Sequence, residues 1–220
     1  MNCTSKLTLW AISVFIVFTS LSVAQPRPGE WKNYTSMKEV RDISVNGDSL
    51  WGSTSGGLFL YISSSGLYKR FTTSEGLLSN DLTAITIDPY NRIWTGTSSG
   101  YIVMFNPEQS SWFYVRSIAE SDRTQKVIRK LYISGDTLYI ATDFGISVYL
   151  LKRQEFGDSY TNFGFQMPTR VNDITILNGK IYAATASGLA VGTLGAQNLT
   201  GPSAWKRYTT NNGLPSNSLI

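Results

Sequence analysis

The chain is expected to be all-β, a β-propeller of four-stranded antiparallel blades, on three observations. One segment recurs at a nearly fixed step. Leu50-Trp51-Gly52-Ser53-Thr54-Ser55-Gly56-Gly57-Leu58 returns as Ile93-Trp94-Thr95-Gly96-Thr97-Ser98-Ser99-Gly100-Tyr101, as Leu138-Tyr139-Ile140-Ala141-Thr142-Asp143-Phe144-Gly145-Ile146, and as Ile181-Tyr182-Ala183-Ala184-Thr185-Ala186-Ser187-Gly188-Leu189. The aromatic anchors Trp51, Trp94, Tyr139 and Tyr182 are 43, 45 and 43 residues apart, and Gly57, Gly100, Gly145 and Gly188 keep the same steps. Within each period, short runs of alternating polarity are bounded by turn residues. No segment sustains a helical period. Strand-rich repeats of about 40–45 residues are the mark of propeller blades. A β-helix would want a shorter repeat, and a β-sandwich would not repeat so regularly.

The first residues read as a leader. Lys6 is followed by a charge-free, mostly apolar stretch from Leu7 to Leu21, then by Ser22-Val23-Ala24 with small residues where a signal peptidase cuts. That is the order of a secretory signal peptide, and the apolar run is shorter than the roughly 20 residues a spanning helix needs. Residues 1–24 are therefore expected to be a signal peptide and 25–220 a propeller domain. The destination is exported: periplasm, cell surface or medium. Cys3 lies ahead of the apolar run, the wrong side for a lipid-bearing cysteine.

Beyond the leader there is neither cysteine nor histidine. Packing alone must hold the fold, without disulfides. Metal sites built on Cys or His, and acid–base schemes that need imidazole, are excluded. No metal site and no cofactor are expected. Without Lys6 the formal net charge falls from +4 to +3. Its basic residues are scattered, so no nucleic-acid partner is expected.

The second unit shows the blade plan. Leu82 to Ile87 alternates as a half-buried strand. Asp88-Pro89-Tyr90-Asn91 is a turn, and Arg92 to Thr97 is the next strand. Ser98-Ser99-Gly100 turns the chain again, Tyr101 to Phe105 is the third strand, and Trp112 to Val115 the fourth. In the other units Asn46-Gly47-Asp48, Ser134-Gly135-Asp136 and Asn178-Gly179 take the first turn. First strands are expected at 40–45, 128–133 and 171–176, and outer strands at 68–71 and 205–208, each led by an aromatic residue.

Both ends bear on the ring. Trp31-Lys32-Asn33-Tyr34 matches an outer strand with no inner strands before it, and is expected to complete the last blade. Tyr208 to Asn217 matches Phe71 to Asn80, a linker, and leads into a new first strand at Ile220. About four to five blades of a larger ring are thus expected here, with the domain truncated at its C-terminus. An open ring would expose the apolar faces of its first and last blades.

The pattern Ile-Trp-x-Gly-Thr-x-x-Gly-apolar, best seen between Ile85 and Phe105, resembles the two-component-regulator propeller repeat, and Phe71 to Asn80 resembles that family's blade linker. The stretches Leu50 to Tyr61, Thr142 to Leu150, Lys152 to Tyr160 and Val171 to Ile174 are similar to the N-terminal propeller of the PorZ family of the type IX secretion system. That resemblance implies a surface component carrying two propellers and a C-terminal sorting domain, linked to a sortase and to anionic lipopolysaccharide. It carries over no catalytic residue.

The expected function is therefore an exported, non-catalytic interaction or scaffold module, a component or client of type IX secretion at the bacterial surface. The alternative is the carbohydrate-sensing ectodomain of a two-component regulator. An enzyme is not expected, because no carboxylate pair recurs at a fixed spacing. Partners would be a protein or a surface glycan or lipopolysaccharide, together with the C-terminal blades that close the ring.

Candidate ligand residues are Asp143 and Phe144, which make the one Thr-x-x-Gly turn with a charged and an aromatic residue. An aromatic ring beside a carboxylate can stack on and hydrogen-bond a sugar. Trp51, Trp94, Tyr139 and Tyr182 with Gly57, Gly100, Gly145 and Gly188 are assigned structural roles. Asp42 and Asp173 share a position that holds Ala84 and Lys130 in the other blades, so no unbroken acidic ring forms. Residues 117–126 are longer and more polar than their equivalents, either a mobile loop or a partner-binding insertion.

Overall fold

A computed structural model of the chain describes residues 33–195 and 198–219. The expected leader, 1–24, and the Trp31-Lys32 start of the expected outer strand lie outside the described residues. Asn33 and Tyr34 carry no strand pairing. Asn33 instead donates from Nδ2 to Thr73 Oγ1 at 2.6 Å.

Among the described residues, sixteen strands form four antiparallel sheets in simple up-and-down order. Blade 1 is β1 (Val40–Asn46), β2 (Ser49–Thr54), β3 (Gly57–Ile62) and β4 (Leu67–Phe71). Blade 2 is β5 (Leu82–Ile87), β6 (Ile93–Thr97), β7 (Ile102–Asn106) and β8 (Ser111–Val115). Blade 3 is β9 (Ile128–Ser134), β10 (Thr137–Thr142), β11 (Gly145–Leu150) and β12 (Glu155–Tyr160). Blade 4 is β13 (Val171–Leu177), β14 (Lys180–Thr185), β15 (Gly188–Thr193) and β16 (Trp205–Tyr208). Among the described residues, helix is confined to two 3₁₀ turns. Strand β12, which the sequence pattern did not single out, follows the plan of the other outer strands. Its Phe156 occupies the position of Trp112 and Trp205.

The Thr-x-x-Gly turns explain themselves in the blade geometry. Thr54, Thr142 and Thr185 are fully buried. Each hydroxyl donates to the carbonyl of the turn glycine, at 2.8, 2.9 and 2.6 Å, and accepts a backbone N–H from inside the turn. The glycines sit at φ 129, 132 and 138° at Gly57, Gly145 and Gly188. A Cβ there would meet the carbonyl oxygen closing the outer strand at 2.3–2.5 Å, so no side chain fits. Blade 2 has one extra residue in this turn, and Thr97 bonds Tyr101 instead.

Three apolar cores lie between the four blades. Trp51 and Leu58 of blade 1 pack with Leu82, Ile85, Ile93, Val103 and Phe105 of blade 2. Trp94, Ile102 and Met104 face blade 3, and Tyr139, Ile146 and Val148 face blade 4. The aromatic anchor of each blade thus covers the blade that follows. In the first interface Trp51, Phe71, Phe105 and Trp112 stack and tilt on one another with centroids 4.5–6.1 Å apart, an arrangement worth more than its area alone.

The outward faces of the end blades follow the same code. Val40, Ile43 and Val45 are 48, 54 and 61% exposed, whereas their blade 2 counterparts Leu82 and Ile85 are buried and Ile87 is partly buried. At the other end Tyr182, Leu189, Val191, Tyr208 and Leu214 line an open depression of about 500 Å³. They correspond to Trp51, Leu58, Leu60, Phe71 and Leu77, which blade 2 covers.

The linkers after blades 1 and 4 match bond for bond. Thr72 N–H donates to Glu75 and Thr209 N–H to Asn212. Thr73 and Thr210 N–H donate to Asn80 and Asn217. Leu77 and Leu214 N–H reach back to Thr72 and Thr209 carbonyls, both at 3.1 Å.

Candidate functional site at the channel mouth

The inner strands of all four blades share an irregularity that the sequence reading passed over. Pairing of β1 with β2 skips Arg41, β5 with β6 skips Thr83, β9 with β10 skips Arg129, and β13 with β14 skips Asn172. Each is a β-bulge, which adds a residue to one strand and re-aims its side chain. The four bulge residues converge on a cavity of about 290 Å³, completed by Val127 and Ile128. This cavity lies at the end of the channel where inner strands begin. The signal was present as apolar residues three apart (Val40 and Ile43, Leu82 and Ile85, Ile128 and Leu131, Val171 and Ile174), where an unbroken strand would space them by two.

Two of the four bulge residues clamp the next blade, and a third clamps the chain that follows blade 4. Arg41 Nη1 donates to the Leu82 carbonyl at 3.3 Å, Thr83 Oγ1 to that of Ile128, and Asn172 Nδ2 to that of Leu219. Leu219 N–H also donates to Thr185 O at 3.0 Å. Leu219 therefore occupies the place that Leu82 and Ile128 hold as first residues of their inner strands.

Arg129 is the exception. It turns to its own blade, where Nε and Nη2 both lie 2.6 Å from Asp143 Oδ1. The Asp143 side chain is 6% exposed. Its neighbour Phe144 is buried in the core between blades 2 and 3, and the Arg123 guanidinium lies 4.0 Å from its ring centroid. The structure thus brings Asp143 and Phe144 to the mouth, but with their expected ligand-binding surfaces already engaged, by Arg129 and by Arg123.

The polar segment 117–126 reaches this turn. Ile118 anchors it in the core, and Lys126 Nζ donates to the Ala119 carbonyl at 2.5 Å. Asp122, Arg123, Thr124 and Gln125 then face Asp143, Phe144 and Pro168 across a cleft of about 350 Å³.

Inside the channel, Lys130 Nζ lies 2.8 and 3.0 Å from the two Asp42 carboxylate oxygens. The pair joins blade 3 to blade 1 across Ala84 of blade 2. Asp42 Oδ2 also accepts the Ile85 N–H at 3.1 Å. Asp173 has no such bridge among the described residues and accepts its neighbour's Ile174 N–H. Arg41 likewise pairs with Asp81 and Glu39, which hold its guanidinium above the usual range against desolvation by burial.

These features define the class: a run of four propeller blades with bulge residues gathered at one mouth. The match to known families extends over residues 50–206 and is to the TSS9 PorZ N-terminal β-propeller domain. The chain belongs to that family. No curated protein matches it by sequence.

Among solved structures, PorZ of Porphyromonas gingivalis, described as an essential surface component of its type IX secretion system, superposes with a TM-score of 0.69 at 20% identity. The match covers 82% of this chain and 24% of PorZ, so the chain spans about a quarter of that protein's length. The extracellular domain assigned to the hybrid two-component system BT4673 of B. thetaiotaomicron gives 0.66 at 20% identity, over 82% of this chain and 24% of that one. A computationally designed protein, Ika4, gives 0.57 at 12% identity, over 74% of this chain and 96% of its own. At these identities the likeness is one of fold.

Proposed function

We propose that this chain is the leading part of an exported, non-catalytic scaffold of the PorZ type, which engages a protein or a surface glycan at the channel mouth around Asp143 and Phe144. Family membership over 50–206 carries the reading. The chemistry of the mouth supports it. Asp81, Asp143 and, deeper in the channel, Asp42 are each committed to a cation, and paired carboxylates of this kind hold geometry rather than exchange protons with a substrate. No helix among the described residues is long and apolar enough to cross a membrane.

The ring is completed by further blades on the face of Tyr182, Leu189, Val191, Tyr208 and Leu214. The interface between blades 1 and 2 supports this, because the same positions are covered there. So does Leu219, already in register as the first residue of an inner strand.

The test uses the full-length protein in its own cell. Fractionation is expected to place it outside the cytoplasm, and a glycan panel with product analysis is expected to show no turnover. A cytoplasmic location, or a released product, would overturn the proposal. The second reading, a sensor ectodomain, is favoured by the fold likeness to BT4673. It would be preferred if the gene encodes a membrane-spanning helix and kinase motifs beyond Ile220.

A further inference from the structure

We infer that the cleft between residues 122–125 and the Asp143-Phe144 turn is an oxyanion site, with Arg123 as the residue that reads the anion. The inference rests on the mouth being the binding surface, and adds the chemistry it selects.

Three arginines line the clefts of the mouth, and their situations differ. Arg41 and Arg129 are neutralised by Asp81 and Asp143. Arg123 is in no ion pair among the described residues. It is not loose, however. Its guanidinium carbon lies 4.0 Å from the centroid of the buried Phe144 ring, a cation–π contact that holds the charge at the cleft. A guanidinium held through its face keeps N–H donors that match two oxygens of a carboxylate or phosphate.

The surroundings suit an anion. Arg123 and Phe144 are common to two clefts. One, of about 350 Å³, offers the Thr124 hydroxyl and the Gln125 amide. The other, of about 180 Å³, is lined by Ser117, Ser121, Ser147 and Ser159. The carboxylate of Asp143, which would repel an anion, is answered by Arg129 at 2.6 Å. Asp122, exposed on the rim, is the one uncompensated opposing charge lining either cleft. It sets a ceiling on affinity, and its removal is a second handle.

Calorimetric titration of the full chain tests the site. One arm uses inorganic phosphate and the other glutarate, with glucose as the neutral control. Saturable binding in one or both anion arms is expected, and the arm that binds names the source of the oxyanion. Arg123→Ala should weaken it about tenfold or more, and Arg123→Lys, which keeps the charge but not the fork, by a smaller factor. Asp122→Asn should tighten it by about threefold, the size of a screened surface charge. Arg123 is exposed, so an unchanged melting curve is expected of its variants. Absence of binding in both arms, or binding indifferent to Arg123→Ala, overturns the inference. Neither result touches the fractionation and turnover tests of the scaffold proposal.

Discussion

Replacing Asp88 by alanine should destabilise the fold by about 3–5 kcal/mol, the usual cost of breaking a buried charge pair from one side. The Asp88 side chain is 0% exposed. One oxygen accepts the N–H groups of Tyr90 at 2.9 Å and Arg92 at 3.0 Å. The other accepts Arg92 Nε at 2.6 Å and the Trp94 indole N–H at 2.9 Å. Four donors, one of them charged, thus converge on one carboxylate. Hydrogen bonds to a charged group contribute about 1.5–3 kcal/mol each. The full sum is not reached, because Arg92 is 18% exposed and can recover water.

Asp88→Asn separates charge from shape. Whichever way the amide turns, its NH₂ group faces two donors, so the variant should recover little. Equilibrium urea unfolding gives the difference directly. For a domain of this size each kcal/mol moves the melting temperature by about 2–4 °C, so a drop of roughly 10 °C is expected. A loss below about 1 kcal/mol for Asp88→Ala would refute the reasoning. It would mean that the cluster is solvated and that Asp88 is no more than a turn former.

Gly145→Ala should be severe, because it meets a backbone oxygen at 2.3 Å from a φ of 132°. A cost of about 2 kcal/mol or more is expected in the same unfolding assay, against a smaller loss of about 1 kcal/mol for Gly47→Ala, which meets nothing within 4 Å and carries only the strain of its φ of 58°. A double-mutant cycle of Asp42→Ala and Lys130→Ala should return a coupling of about 1 kcal/mol, since the pair is close but partly exposed. A coupling near zero would show that the bridge is decorative.

The phenols of Tyr139, Tyr149 and Tyr160 are pushed up, chiefly by burial. The folded state therefore holds these protons more tightly than the unfolded chain, whose phenols titrate near about 10. Stability from this source is complete below that pH and is lost as pH rises toward the folded-state values. Urea midpoints should be flat on this account up to about pH 9 and fall above it, less steeply in Tyr139→Phe.

The repeat made the blades legible because every blade faces the same two neighbours. A position that covers the next blade, such as Trp51 or Trp94, must be large and apolar each time. A turn glycine pressed against a strand's closing carbonyl must stay glycine, as at Gly57, Gly145 and Gly188. Where the constraint relaxes, the pattern faded. Strand β12 keeps its aromatic, Phe156, against the core, but Glu155, Gly157, Asp158 and Ser159 around it are polar or small, which hid the strand. The bulge at Arg41, Thr83, Arg129 and Asn172 was missed because three kinds of side chain share one backbone role at the four positions.

By itself the sequence determined the architecture: the four-stranded blade, its repeat, its linker and the apolar face each blade presents. These are local choices, dictated by period, polarity and glycine geometry. Only the tertiary structure decided which charges meet. Lys130 reaches Asp42 over an alanine in the blade between them, 88 residues away in sequence. Arg129 neutralises Asp143, and Arg123, arriving from a loop of the preceding blade, covers Phe144. Coulombic and stacking contacts depend on distances of a few ångströms between side chains with no fixed spacing along the chain. No period encodes them, and the chemistry of the mouth is set by how the blades come to lie side by side.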